Sequence, residues 1–181
     1  MQQVMTQASS PLGATGAAVL PPSGNPAGET QISSEAAALL HAARNAAFAE
    51  ASQGRVENGL QLLMDALHHE PQSYDLLSDM AALLLAAGAL ENAVEFARIA
   101  LGVNPDHGPS LYSLGFALAG LGEHQEAYDT LNRLGQDGLA LRSLVDEAPD
   151  LLPLVKTELQ RLQLKLAEQQ AAAASQPKQA A

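Results

Sequence analysis

The chain has no cysteine and no tryptophan. The missing thiols exclude disulfides, thiolate metal sites, a cysteine nucleophile and a lipidated N-terminal cysteine. Aromatic residues make up only 3% of the 181 residues, three Tyr and three Phe. With so few rings, the core has to come from Ala and Leu, both strong helix formers that lose little rotamer freedom in a helix. Basic residues are also scarce, nine against 20 acids, for a net charge of −11. They stand singly (Arg44, Arg55, Arg98, Arg133, Arg142, Lys156, Arg161, Lys165 and Lys178), so no basic stripe exists to displace counterions from phosphates. Nucleic acid and anionic membrane are therefore not the expected partners. No run approaches the ~18 apolar residues of a membrane span. The first 33 residues hold no Lys or Arg, so the positive region of a secretory leader is missing. The expectation is a soluble, cytoplasmic protein of one ordinary domain.

What the chain does have is a period. Gly54, Gly88 and Gly122 follow one another at intervals of 34 residues. Pro71 and Pro105 repeat at the same interval, as do Gly59, Ala93 and Ala127, and Ala47, Ala81 and Gly115. Small residues held in register over this distance indicate an array of like helix–turn–helix units. The spacing predicts helices over about 35–52 and 55–69, then 74–87 and 90–103, then 108–121 and 124–134. The glycines fall where the chain leaves each first helix and needs φ > 0. The prolines follow each second helix, and Ser73 is placed to cap the helix after it. Gly or Ala at the crossings lets helices approach closely while Leu and Ile fill the gaps, so a large residue at Ala93 or Gly115 would overpack the array.

Residues 1–33 are rich in Pro and Gly and poor in large apolar side chains, with Val19-Leu20 as one apolar island, and read as a disordered arm. Ser33 or Ser34 is placed to cap the first helix. After the third unit, Asp137–Glu147 suggests a short helix. Asp150 suggests the N-cap of a longer one running to about 170, with Pro153 in its first turn. Leu152, Val155, Leu159, Leu162 and Leu166 step by 3 and 4 along it and form one apolar stripe. The stripe fits a cap over the open end of the array, or a seam for a homodimer; the cap is favoured because a solenoid end needs covering. A disordered tail is expected over 173–181.

Gly88, Ala93, Ala100 and Pro105 resemble the second half of a tetratricopeptide repeat residue by residue. The third unit resembles the family on Leu111, Leu114, Gly115, Leu118, Gly122 and Ala127, and the first on Gly54, Ala66 and Pro71. The first unit departs at Ala43 and Glu50, and the third lacks a closing proline. The resemblance covers roughly residues 40–139. It implies an all-α solenoid of three repeats (about 40–73, 74–107 and 108–139, within 34–139), followed by capping helices over 140–172. It also implies a concave face that binds a protein or peptide partner. The family's ligand-facing places correspond to His41, Arg44, Phe48 and Ala51, then Asp75, Ser78, Ala82 and Leu85, then Tyr112, Phe116 and Ala119. Phe48, Leu85, Tyr112 and Phe116 would form an apolar strip with aromatic anchors. The branch that clamps acidic carboxyl tails with Lys, Asn and Arg is set aside, since only Arg44 is basic there and Asp75 would repel a carboxylate. In size and layout the chain also resembles bacterial secretion chaperones that hold translocator proteins.

No catalytic constellation is present: there is no phosphate loop, no G-x-S-x-G and no H-E-x-x-H. His68-His69 project about 100° apart on a helix and read as surface residues, not a metal pair. His41, His107 and His124 stand alone in sequence. Asp146, Glu147 and Asp150 lack the spacing of a Ca²⁺ loop and read as helix capping. The expected function is a non-enzymatic adaptor or chaperone without cofactor or metal. The alternative is a structural protein that self-assembles through its repeats or its last helix.

Overall fold

The computed structural model describes residues 34–136 and 138–175. The expected N-terminal arm, and residues 176–181 of the expected tail, lie outside the described residues. Among the described residues eight α-helices follow in order: α1 (Ser34–Ser52), α2 (Val56–His69), α3 (Tyr74–Ala86), α4 (Leu90–Val103), α5 (Gly108–Leu121), α6 (His124–Gly135), α7 (Leu139–Glu147) and α8 (Leu152–Ser175). Successive pairs α1/α2, α3/α4 and α5/α6 form antiparallel hairpins, and α1 lies beside α3, which lies beside α5.

The three turns are built alike. Gly54, Gly88 and Gly122 take φ of 79°, 77° and 85°, the left-handed region in which a side chain is strained. Past each glycine the next N–H reaches back to a carbonyl five residues earlier: Arg55 to Glu50 at 3.0 Å, Ala89 to Leu84 at 2.9 Å and Glu123 to Leu118 at 3.0 Å. That bond satisfies a carbonyl the helix end leaves open. Ser73 caps α3 as expected, its hydroxyl accepting the Leu76 N–H at 3.4 Å.

Close helix crossing explains the rest of the periodic pattern. Ala47, Ala81, Ala93 and Ala127 are fully buried. A methyl added at Gly115 would lie 2.4 Å from the Leu131 side chain, and one at Gly59 2.6 Å from the Ala47 carbonyl. Two apolar clusters result, one over α1–α4 and one from α3 to α8, joined through Leu60 and Phe96.

The C-terminal segment differs from expectation in detail. Asp150 does not cap α8; it sits within a short 3₁₀ turn, Pro149–Leu151, and α8 begins at Leu152 with Pro153 in its first turn. The helix also continues through Ala171–Ala174 to Ser175, because four alanines propagate a helix already nucleated. Four of the five residues of its stripe are spent inside the chain. Val155 and Leu162 are fully buried, and Leu152 and Leu159 pack against the same cluster. The helix runs antiparallel to α6: Gln163 Nε2 donates to the Tyr128 hydroxyl at 3.1 Å, and Gln169 Nε2 lies 3.0 Å from His124 Nδ1. α7 packs on α5 and α6, seated at Gly108.

Candidate functional site: the face of α1, α3 and α5

Each hairpin contributes its first helix to one layer, and α7 extends that layer past α5. The predicted ligand-facing residues divide within it. Arg44 of α1 crosses to Asp79 of α3 and forms a two-pronged ion pair; Nε donates to Oδ2, and Nη2 to Oδ1 at 3.2 Å. Asp79 is only 8% exposed. Burial pushes its carboxyl above the ordinary value, and the Arg44 guanidinium only partly offsets that. Arg44 is therefore occupied with holding α1 to α3.

Asp75, at the start of α3, faces His107, the residue that precedes α5. His107 is 2% exposed and does not stand alone as its sequence position suggested. Its Nε2 lies 3.2 Å from Glu147 Oε2 and 3.8 Å from Asp75 Oδ1. Its Nδ1 lies 2.7 Å from the Ser110 hydroxyl, and the Tyr74 ring stands edge-on to it with centroids 5.0 Å apart. Glu147, read from sequence as part of a capping turn, closes this group from the end of α7. Its Oε1 accepts from the Ser143 hydroxyl at 3.0 Å, which in turn accepts the Gly108 N–H at 2.9 Å. Asp79, His107 and Glu147 were missed by sequence reasoning. The repeat interval carries a weak signal for them, since Asp79 follows Ser78 in the ligand-facing register and His107 immediately precedes the third unit.

The apolar part is more scattered than a continuous strip. Tyr112 and Phe116 pair one helical turn apart, with ring centroids 4.3 Å apart and tilted by 31°. Both are half-buried against the larger core cluster, as is Leu85. Burial pushes the Tyr112 phenol up, with Glu158 of α8 adding to the shift, so the C-terminal helix flanks this end of the face. Phe48 is 40% exposed, and His41 is exposed. Ala51 and Ala82 are half-buried. Two predicted places are buried: Ser78 and Ala119 are 3% and 7% exposed, covered within the helix layer. His68 and His69 are exposed at the end of α2, as expected. Cavities elsewhere among the described residues include one of about 470 Å³ beneath α8, bordered by Leu134, Leu141, Leu152 and Leu159, and one of about 450 Å³ between α1 and α2, bordered by Leu39, Leu40, Ala43 and Leu62.

No family model and no curated protein matches the sequence. Solved structures do match the fold. The chain is similar to the tetratricopeptide-repeat domain of Sgt2 from Aspergillus fumigatus, with a TM-score of 0.62 and 21% identity, covering 78% of this chain and 90% of that one. It is similar to the first such domain of Spaghetti (RPAP3) bound to the HSP90 peptide SRMEEVD, with a TM-score of 0.60 and 15% identity, covering 72% and 97%. It is also similar to the type III secretion translocator chaperone SycD of Yersinia enterocolitica, with a TM-score of 0.58 and 18% identity, covering 71% and 94%. The chain carries the tetratricopeptide-repeat fold, an all-α solenoid of helical hairpins. Among the described residues no helix is long and apolar enough to cross a membrane.

Proposed function

We propose that the chain is a non-enzymatic adaptor or chaperone that holds an extended or helical segment of a partner protein against the face of α1, α3 and α5. The observation that carries this reading is the set of partly open apolar side chains on that face, Phe48, Leu85, Tyr112 and Phe116, three of them among the chain's six aromatic-ring-bearing Phe and Tyr residues. Its likeness to a domain bound to an HSP90 peptide supports a peptide ligand. The charges argue against an acidic one. Asp75, Asp79 and Glu147 outnumber Arg44, and Arg44 is engaged by Asp79. An acidic tail would meet repulsion without an available basic clamp.

A bacterial secretion or assembly system is the proposed setting, supported by likeness to SycD, and the cytoplasm the proposed compartment. A homodimer through the C-terminal stripe is not carried forward, because α8 packs on α6 and Leu152, Val155, Leu159 and Leu162 of the stripe are taken up by the core. The test begins with the partner that co-purifies with the native protein. Capture of that partner is then compared between wild type and a Tyr112→Ala, Phe116→Ala double variant. Capture weakens while circular dichroism stays helical if the reading holds. Undiminished capture by the folded double variant contradicts it.

A further inference from the structure

Three ligand-type side chains from three separate elements converge beside the Arg44–Asp79 pair: Asp75 of α3, His107 ahead of α5 and Glu147 of α7. One oxygen or nitrogen of each lies within 4.8 Å of the other two. We propose that Asp75, His107 and Glu147 bind one divalent transition-metal cation of the zinc class, with His107 Nε2 and one oxygen from each carboxylate as ligands.

The geometry suits a small tetrahedral ion. Zn²⁺ binds nitrogen and oxygen at about 2.0–2.2 Å, which places neighbouring ligands of a tetrahedron roughly 3.3–3.6 Å apart. The His107–Glu147 and His107–Asp75 separations of 3.2 and 3.8 Å bracket that value. Small rotations of two partly exposed carboxylates complete the approach. One nitrogen and two oxygens suit a borderline metal better than Ca²⁺, which takes six to eight oxygens.

Two further features point the same way. The histidine is 2% exposed, so its ring is fixed by packing and not free in solvent. Its Nδ1 lies 2.7 Å from the Ser110 hydroxyl, which with an ion bound would accept Nδ1–H and leave the Nε2 lone pair to the metal. Ser143 does the same for Glu147, donating to its second oxygen at 3.0 Å while anchored by the Gly108 N–H. Metal-binding histidines and carboxylates are characteristically held by such outer partners.

The charge arithmetic also favours a divalent cation. Arg44 neutralises Asp79 across the α1–α3 contact, which leaves Asp75 and Glu147 facing a histidine with two negative charges between them. A divalent ion brings that group to neutrality. Both carboxylate side chains are 39% exposed, so the ion reaches the site from solvent and a water completes its fourth position. The site would tie α3, α5 and α7 together at one end of the face, independently of whether that face holds a peptide.

The test uses the full-length, tag-free protein. Zn²⁺ is titrated by calorimetry, and Co²⁺ is followed by the visible absorption of a tetrahedral ion. Wild type takes up one ion saturably and melts at a higher temperature with it. Asp75→Asn with Glu147→Gln, which keeps side-chain shape, lowers affinity by about 100-fold or more. Ser110→Ala, which loosens only the ring's outer partner, lowers it by about 10- to 100-fold. His68→Gln with His69→Gln leaves it unchanged. Absence of uptake by wild type overturns the proposal. So does wild-type affinity in the folded Asp75/Glu147 double variant, or loss of uptake in the His68/His69 variant. If the acid double variant does not fold, wild-type affinity in Ser110→Ala overturns it instead.

Discussion

Replacing Gly108 with alanine tests how the array ends. A Cβ at Gly108 would lie 2.3 Å from the Leu144 amide nitrogen, 2.6 Å from the Ala140 carbonyl oxygen and 2.7 Å from the Leu144 Cα. All three neighbours are backbone of α7 and cannot rotate away. To reach the 3.0 Å floor of real Cβ contacts, α7 has to move off α5. It would draw with it Leu144, which is fully buried, and weaken the bond from the Gly108 N–H to Ser143. Overpacking of this kind costs about 1–3 kcal/mol. For a chain of this length that corresponds to a fall in melting temperature of roughly 2–12 °C, at about 2–4 °C per kcal/mol. The comparison is Gly102→Ala. Gly102 lies within α4 with nothing within 4 Å of its added methyl, so alanine there should stabilise by up to about 1 kcal/mol. The same chemical change thus has opposite signs at two helical sites six residues apart. Thermal melts by circular dichroism read both. A Gly108→Ala protein as stable as Gly102→Ala would refute the seating of α7 on α5.

Arg44→Met removes the cation facing Asp79 while keeping the apolar stem. The cost should be about 2 kcal/mol, below the ~3–5 kcal/mol of breaking a fully buried pair, because the Arg44 side chain is 27% exposed. Asp79 already has a folded-state pKa above its unfolded value, so its ionisation opposes folding, and more so without Arg44. That opposition is absent below the unfolded pKa and fully present above the folded one. Urea unfolding should therefore show the Arg44→Met deficit at neutral pH and a smaller one below about pH 4; a deficit that grows on acidification would contradict the assignment. On α8, Leu162→Ala should cost about 2–5 kcal/mol, since the side chain is fully buried. Leu164→Ala, at a side chain 67% exposed, should change stability by less than about 0.5 kcal/mol. Light scattering should show the same mass for both variants as for wild type; dissociation of a dimer by either would revive the seam.

The hairpin array was legible because its determinants are local. A turn that needs φ > 0 selects glycine, a close crossing selects Gly or Ala, and both recur at the repeat interval, so Gly54, Gly88 and Gly122 mark the same geometry three times. Elements outside the repeat were read less well. Asp150 has good capping chemistry, but the chain enters a 3₁₀ turn at Pro149 and α8 starts two residues after Asp150. The site was only partly legible. The repeat register placed Arg44 on α1 and Asp75 on α3, where the structure has them, yet Arg44 pairs with Asp79 and Ser78 is covered. His107 and Glu147 lie 40 residues apart and meet only because α7 closes on α5, a consequence of packing that no short motif records.

The central claim is that the layer of α1, α3 and α5 is the surface that holds a partner. A photo-crosslinking side chain placed at Phe48, on α1, and separately at Ile99, on α4, measures this directly. The two native side chains are 40% and 45% exposed, so access to solvent is similar and position alone differs. A covalent adduct with the co-purifying partner from Phe48, and none from Ile99, is the predicted result. An adduct from Ile99 with none from Phe48 would place the partner on the second helices of the hairpins and contradict the account.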